Sequence, residues 1–179
     1  MEKIYLADDN KTNRYVLEKA LAAAGYNVKT FKDGQELLDE FLKEPPDIII
    51  TDVKMPVMDG YELIKAVRAD NTYDHIPIVC ISAAYTDLAS KIQGFNEGAN
   101  DYMTTPINED ELTAKIKSLL KVKDLIESLR KSETRLQNEK DRLNLLLSTF
   151  NNRENRMVEL KKEINALLEE AGKPPKYMQ

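Results

Sequence analysis

The chain has 179 residues, 42% of them apolar, and a net charge of −5, which is enough for one proper core and too little for two ordinary domains joined by a linker. No apolar run reaches the ~18 residues of a membrane span, and the N-terminus lacks the charged-then-apolar plan of a signal peptide, so a soluble, cytoplasmic protein without membrane insertion is expected. Single residues of cysteine (Cys80) and histidine (His75) exclude an internal disulfide and histidine-rich metal chemistry, and no clustered Lys/Arg patch points to DNA.

Lys3–Ala7 reads as a first strand ending in two acids, Asp8 and Asp9. Asn10 is placed to cap a helix with Val16, Leu17, Ala20, Leu21 and Ala24 on one face, stopped by Gly25. Asn27–Phe31 is a second strand, and residues 35–43 form a second helix carrying Leu37, Leu38, Phe41 and Leu42. After Pro45-Pro46, the run Ile48-Ile49-Ile50 has the β-branching and length of a strand buried on both faces. Asp52 stands where that run stops, at the carboxyl end of a central strand, where open α/β sheets place their ligands. Met55-Pro56 and Asp59-Gly60 mark a turn into a third helix at 61–68. A fourth strand at 78–82 places Cys80 in the core and ends on Ser82. A fourth helix at 88–96 and a short fifth strand at 101–104 follow, then Thr105-Pro106 and a helical start at Asn108. Five βα repeats imply right-handed crossovers and one parallel sheet.

Asp52 with Met55-Pro56 and Asp59-Gly60, preceded by the acid pair on strand one, resembles the phospho-acceptor segment of receiver domains from bacterial two-component response regulators. The resemblance implies a flavodoxin-like five-stranded parallel sheet of order 2-1-3-4-5, with a receiver over residues 1–121. It implies that Asp52 accepts a phosphoryl group from a sensor histidine kinase or phosphotransfer protein. Mg²⁺ would be ligated by Asp9, Asp52 and the Lys54 backbone carbonyl, and by Asp8 largely through water. Ser82 would hydrogen-bond a phosphoryl oxygen, and Tyr102 matches the aromatic that packs inward on activation. Like charges this close disfavour joint ionisation without a cation, so metal binding and phosphorylation should be coupled. The chain would be a signalling domain rather than an enzyme.

One position departs from the pattern. Receivers carry a lysine before the proline after strand five, where this chain has Thr105, which donates a hydrogen bond but brings no charge. Lys11 and Lys54, on neighbouring loops, are candidate substitutes. The departure keeps a second reading open, a pseudo-receiver that binds partners with impaired switching. The resemblance also implies a cis peptide at Thr105-Pro106. A hydrolase of the phosphoaspartyl kind is disfavoured, because the chain lacks an Asp-x-Asp motif at Asp52.

The last helix does not stop where a fifth receiver helix should. Val122, Leu129, Leu136, Leu143, Phe150, Met157, Ile164 and Ala171 keep an unbroken spacing of seven, joined by Leu125, Leu146, Leu160 and Leu167. Ser132, Glu139 and Arg153 interrupt the second set. A strict seven-residue period predicts a coiled-coil seam and a homodimer through residues 122–179. A helix folded back on its own receiver, or a hairpin turning at 148–152, is the alternative. The end of this segment resembles the connector coils of multidomain sensor histidine kinases, which suits a fragment of a larger signalling protein.

Overall fold

The computed structural model describes residues 1–83 and 88–177, so the last two positions of the C-terminal extension lie outside the described residues. Its centre is β3 (Ile48–Asp52), whose first four residues are buried. Beside it lie β1 (Lys3–Ala7) and β4 (Ile78–Ala83), with β2 (Asn27–Phe31) and β5 (Asp101–Thr105) at the edges. All neighbours pair in parallel, in the order 2-1-3-4-5. The βα repeats imply one parallel sheet, and this is the flavodoxin-like strand order that the resemblance implies.

Alternate residues of each strand feed two cores, as the period of two demands. On one face Tyr5, Ile49 and Cys80 meet α2 (Gly34–Phe41) and α3 (Gly60–Arg68) through Leu37, Phe41, Leu63 and Ile64. On the other, Ile4, Leu6, Ile48, Ile50 and Val79 meet α1 (Lys11–Ala23) and the start of α5 (Glu109–Glu170) through Leu17, Leu21, Leu112, Ile116 and Leu120. Truncating a fully buried leucine such as Leu63 to alanine would cost ~2–5 kcal/mol. α4 (Leu88–Glu97) completes the set, and a 3₁₀ turn at Asn71–Tyr73, absent from the sequence reading, leads toward β4.

Two helix faces are narrower than the apolar pattern suggests. α1 buries Leu17 and Leu21, whereas Val16 is 48% exposed and Ala24 is exposed. Residues four apart share a face, while Val16 lies ~100° to the side of Leu17. In α2, Leu37 and Phe41 are buried, and Leu42 is exposed because the helix ends at Phe41 and leaves Leu42 as its C-cap.

The chain divides into two compact units, Met1–Glu127 and Ser128–Gln179. In the first, α5 is held by Leu112, Ile116 and Leu120 and then by a charged contact. Lys123, 9% exposed, places Nζ 2.7 Å from Asp47 Oδ1 and 3.0 Å from Glu127. Asp47 also accepts from the Lys3 N–H at 2.8 Å, so the amino-terminal ends of β1 and β3 and helix α5 share one carboxylate. His75 adds an edge to this cluster, 3.8 Å from Glu127. In the second unit the helix runs on to Glu170, and the heptad leucines are exposed. Its end is tied off by Asn165. The side-chain oxygen of Asn165 accepts from the Lys176 and Tyr177 N–H groups at 3.0 and 3.1 Å, and its amide donates to the Tyr177 carbonyl at 2.7 Å. Pro174-Pro175 cannot continue a helix, and Asn165 satisfies the backbone that turns there.

Candidate functional site

Strand register assembles the site. Ala7 of β1 pairs with Thr51 of β3, so Asp8 and Asp9 leave the sheet beside Asp52. Oxygens of the three carboxylates lie within 4.8 Å of one another, with Asp8 buried, Asp52 half-buried and Asp9 exposed. The β1–α1 loop is short because Asn10 caps α1, its side chain accepting from the Thr12 and Asn13 N–H groups. The Asn10 N–H donates to Asp8 Oδ1 at 2.7 Å.

Burial, reinforced by the negative charge of Asp8, pushes Asp52 up to about 6, against a hydrogen bond from the Lys54 N–H that pulls it down. Burial raises Asp8 as well. Each acid therefore resists ionising beside the other, the expected behaviour of carboxylates crowded at one rim.

The segment after Asp52 shows why the Met-Pro and Asp-Gly pairs stand at these spacings. Met55 tucks into the core, and Val57, 80% exposed, adopts φ +68° within a tight turn closed by the Met58 N–H on the Pro56 carbonyl at 2.8 Å. A β-branched residue there is strained. Nothing in the sequence marks Val57, because the strain comes from how the loop must close. Asp59 then caps α3 in a reciprocal box with Glu62. Gly60 is obligatory through proximity: a Cβ there would stand 2.3 Å from the Asp52 carbonyl oxygen.

Ser82 follows Ile81, the partner of Asp52 on β4, so it stands at the same rim. It is 3% exposed, and its Oγ has no hydrogen-bond partner among the described residues. Native interiors rarely leave such an atom unpaired. Thr105 is level with Ala83 at the end of β5, half-buried, and the Thr105-Pro106 bond is cis. Lys11 and Lys54, the candidate cationic substitutes, are both exposed.

Tyr102 is half-buried against the α2/α3 core, its hydroxyl 2.9 Å from that of Tyr61. Burial and the Tyr61 hydroxyl push the phenol above its ordinary range. Gly94 of α4 makes the room, since a Cβ there would lie 2.0 Å from the Tyr102 hydroxyl. That requirement is invisible in sequence, because Gly94 and Tyr102 meet only across α4 and β5. Cys80, beneath, is a core residue as expected, its thiol pushed up to about 12 by burial.

Among the described residues, the donor set is three carboxylates at the carboxyl edge of a parallel sheet, hard oxygen ligands of the kind Mg²⁺ prefers, with a hydroxyl on the next strand that no described residue pairs. The residues fit a divalent cation with a phosphoryl group beside it. Fold and site together define a flavodoxin-like α/β domain with an acidic rim.

Comparison with known proteins then gives the family. The response regulator receiver domain matches residues 4–117, and the chain belongs to that family, the signalling module of two-component systems. Response regulator PleD of Caulobacter vibrioides is 39% identical over 131 residues, 73% of this chain and 29% of that protein. The structure of chemotaxis response regulator CheY4 of Vibrio cholerae superposes with a TM-score of 0.62 at 35% identity, covering 66% of this chain and 98% of that one. The signal receiver domain of a signal transduction histidine kinase from Syntrophus aciditrophicus gives 0.63 at 28% identity, covering 68% and 91%. The chain spans less than half the length of the curated relatives it matches. No helix among the described residues is long and apolar enough to cross a membrane.

Proposed function

We propose that the chain is a phosphorylatable receiver in which Asp52 accepts a phosphoryl group from the phosphohistidine of a sensor kinase or phosphotransfer protein. The observation that carries this reading is the meeting of Asp8, Asp9 and Asp52 within 4.8 Å beside the Ser82 hydroxyl, which has no hydrogen-bond partner among the described residues. In the transfer, a carboxylate oxygen of Asp52 bonds to phosphorus as the phosphorus–nitrogen bond to the partner's imidazole breaks. The electron pair stays with the leaving nitrogen. With its pKa at about 6, Asp52 is largely ionised at neutral pH and available as the nucleophile. Asp9, Asp52 and the Lys54 carbonyl would hold Mg²⁺ directly and Asp8 through water. The ion, when bound, offsets the crowded negative charge and polarises the phosphoryl oxygens. Ser82 then donates its hydroxyl to one of those oxygens, and Thr105 can add a neutral hydrogen bond where receivers have an ammonium. Tyr102, lodged inward by Tyr61 and Gly94, is the aromatic that would report the state of the site.

The output in this reading is a homodimeric coil through residues 122–179. What supports it is the exposure of Leu129, Leu136, Leu143 and Phe150 at intervals of seven, each between 60% and 66% exposed. Burying side chains of this kind gains about 1.5–3 kcal/mol apiece, which a partner helix supplies and solvent does not.

Thr105 favours the second reading, a pseudo-receiver that binds partners without efficient phosphotransfer. Incubation of the full chain with a small phosphodonor and Mg²⁺, read by intact mass, separates the two. The receiver reading expects a gain of one phosphoryl group that Asp52→Asn abolishes; no gain under saturating donor favours the pseudo-receiver.

A further inference from the structure

β1 ends at Ala7 and α1 begins at Lys11, so three residues must turn the chain while bringing two carboxylates toward Asp52. Asn10 satisfies the helix start, but the carbonyls of Asp8 and Asp9 belong to neither strand nor helix. Arg14 meets both. Its Nη1 donates to the Asp8 carbonyl at 2.5 Å and to the Asp9 carbonyl at 3.0 Å. The Arg14 N–H donates to the Asn10 carbonyl at 3.0 Å, so main chain and side chain of one residue grip three consecutive residues of the loop.

We infer that Arg14 is a positioning residue of the acidic rim, holding the peptide planes that carry Asp8 and Asp9 so that their carboxylates face a shared cation with Asp52. This rests on reading the rim as a Mg²⁺ site. Mg²⁺ demands near-ideal octahedral geometry, so a loop free to rock loses affinity even with every ligand present. Outer groups that orient ligands are typically worth 10–100-fold in metal affinity. Helix α1 itself is anchored in the core by Leu17 and Leu21.

Isothermal titration of the full chain with Mg²⁺, paired with melting in EDTA, tests the inference on Arg14→Met and Arg14→Lys. Arg14→Met should raise the Mg²⁺ dissociation constant about tenfold or more while the metal-free melting temperature stays within a few degrees. Arg14→Lys keeps the charge and one donor atom, and its constant should fall between the two. Wild-type affinity in Arg14→Met overturns the inference. So does a loss of metal-free stability in both variants that accounts for the weaker binding. Should Arg14→Met fail to fold, Arg14→Gln takes its place, with weaker binding expected and unchanged binding contrary. Absence of Mg²⁺ binding by the wild type would instead overturn the reading of the rim itself.

Discussion

At the scale of single residues, the acidic rim forces unfavourable neighbours together. Asp52 has its folded-state pKa raised to about 6 by burial and by Asp8. A raised carboxyl stabilises the fold below the unfolded value, ~3.9, and that contribution is lost as pH rises through about 6. At neutral pH and without metal, ionised Asp52 therefore weighs against folding. Asp52→Asn should accordingly be more stable than wild type at pH 7 in EDTA, with the difference shrinking toward pH 4. Urea melts at the two pH values check this, and an Asn variant less stable at pH 7 would contradict it. Asp8, Asp9, Asp52 and Ser82 are legible as strand-end residues because continuous apolar runs announce where the buried strands stop. Arg14, Val57 and Gly94 are not, because their roles depend on a carbonyl, a loop closure and a tyrosine that approach them only in three dimensions.

At the scale of elements, the apolar runs mark β1 and β2 to the residue, and their helices are found with small errors at the ends. Apolar counting overestimates how wide a helix face is buried, as Val16 and Leu42 show. It also passes over Lys123, a charged residue at a buried position that polar/apolar patterning assigns to solvent. Burial alone would lower Lys123, but its hydrogen bonds to Asp47 and Glu127 raise it. Burial alone would raise Asp47, but Lys123 and the Lys3 N–H bring it below the ordinary carboxylate range. The depressed acid contributes stability above its unfolded value, lost as pH falls through the lower folded one. The raised lysine's contribution is lost only as pH climbs past 10.5 through its folded value. Lys123→Met keeps most of the packing and leaves Asp47 short of a partner, so it should destabilise the first unit by ~1–3 kcal/mol between pH 5 and 9. The loss should narrow once the pH falls below the lowered folded-state value of Asp47, where it is protonated in either protein. Thermal melts across that range decide it; a variant as stable as wild type would make the ion pair incidental.

At the scale of the whole chain, the period of seven is the plainest long-range signal in the sequence, and α5 carries it as one unbroken helix to Glu170. A period reveals that a face wants covering and not what covers it. Sedimentation equilibrium at tens of micromolar should find a dimer that Leu143→Glu with Leu146→Glu converts to a folded monomer; a monomeric wild type would end the homodimer proposal. Within the rim, we propose that one carboxylate alone carries the phosphoryl group. Borohydride reduction of the acyl phosphate after treatment with phosphodonor and Mg²⁺, followed by peptide mass mapping, tests it most directly. Reduction is predicted at position 52 alone. Reduction at position 8 or 9, or a phosphoryl gain that borohydride does not convert at position 52, would contradict this assignment.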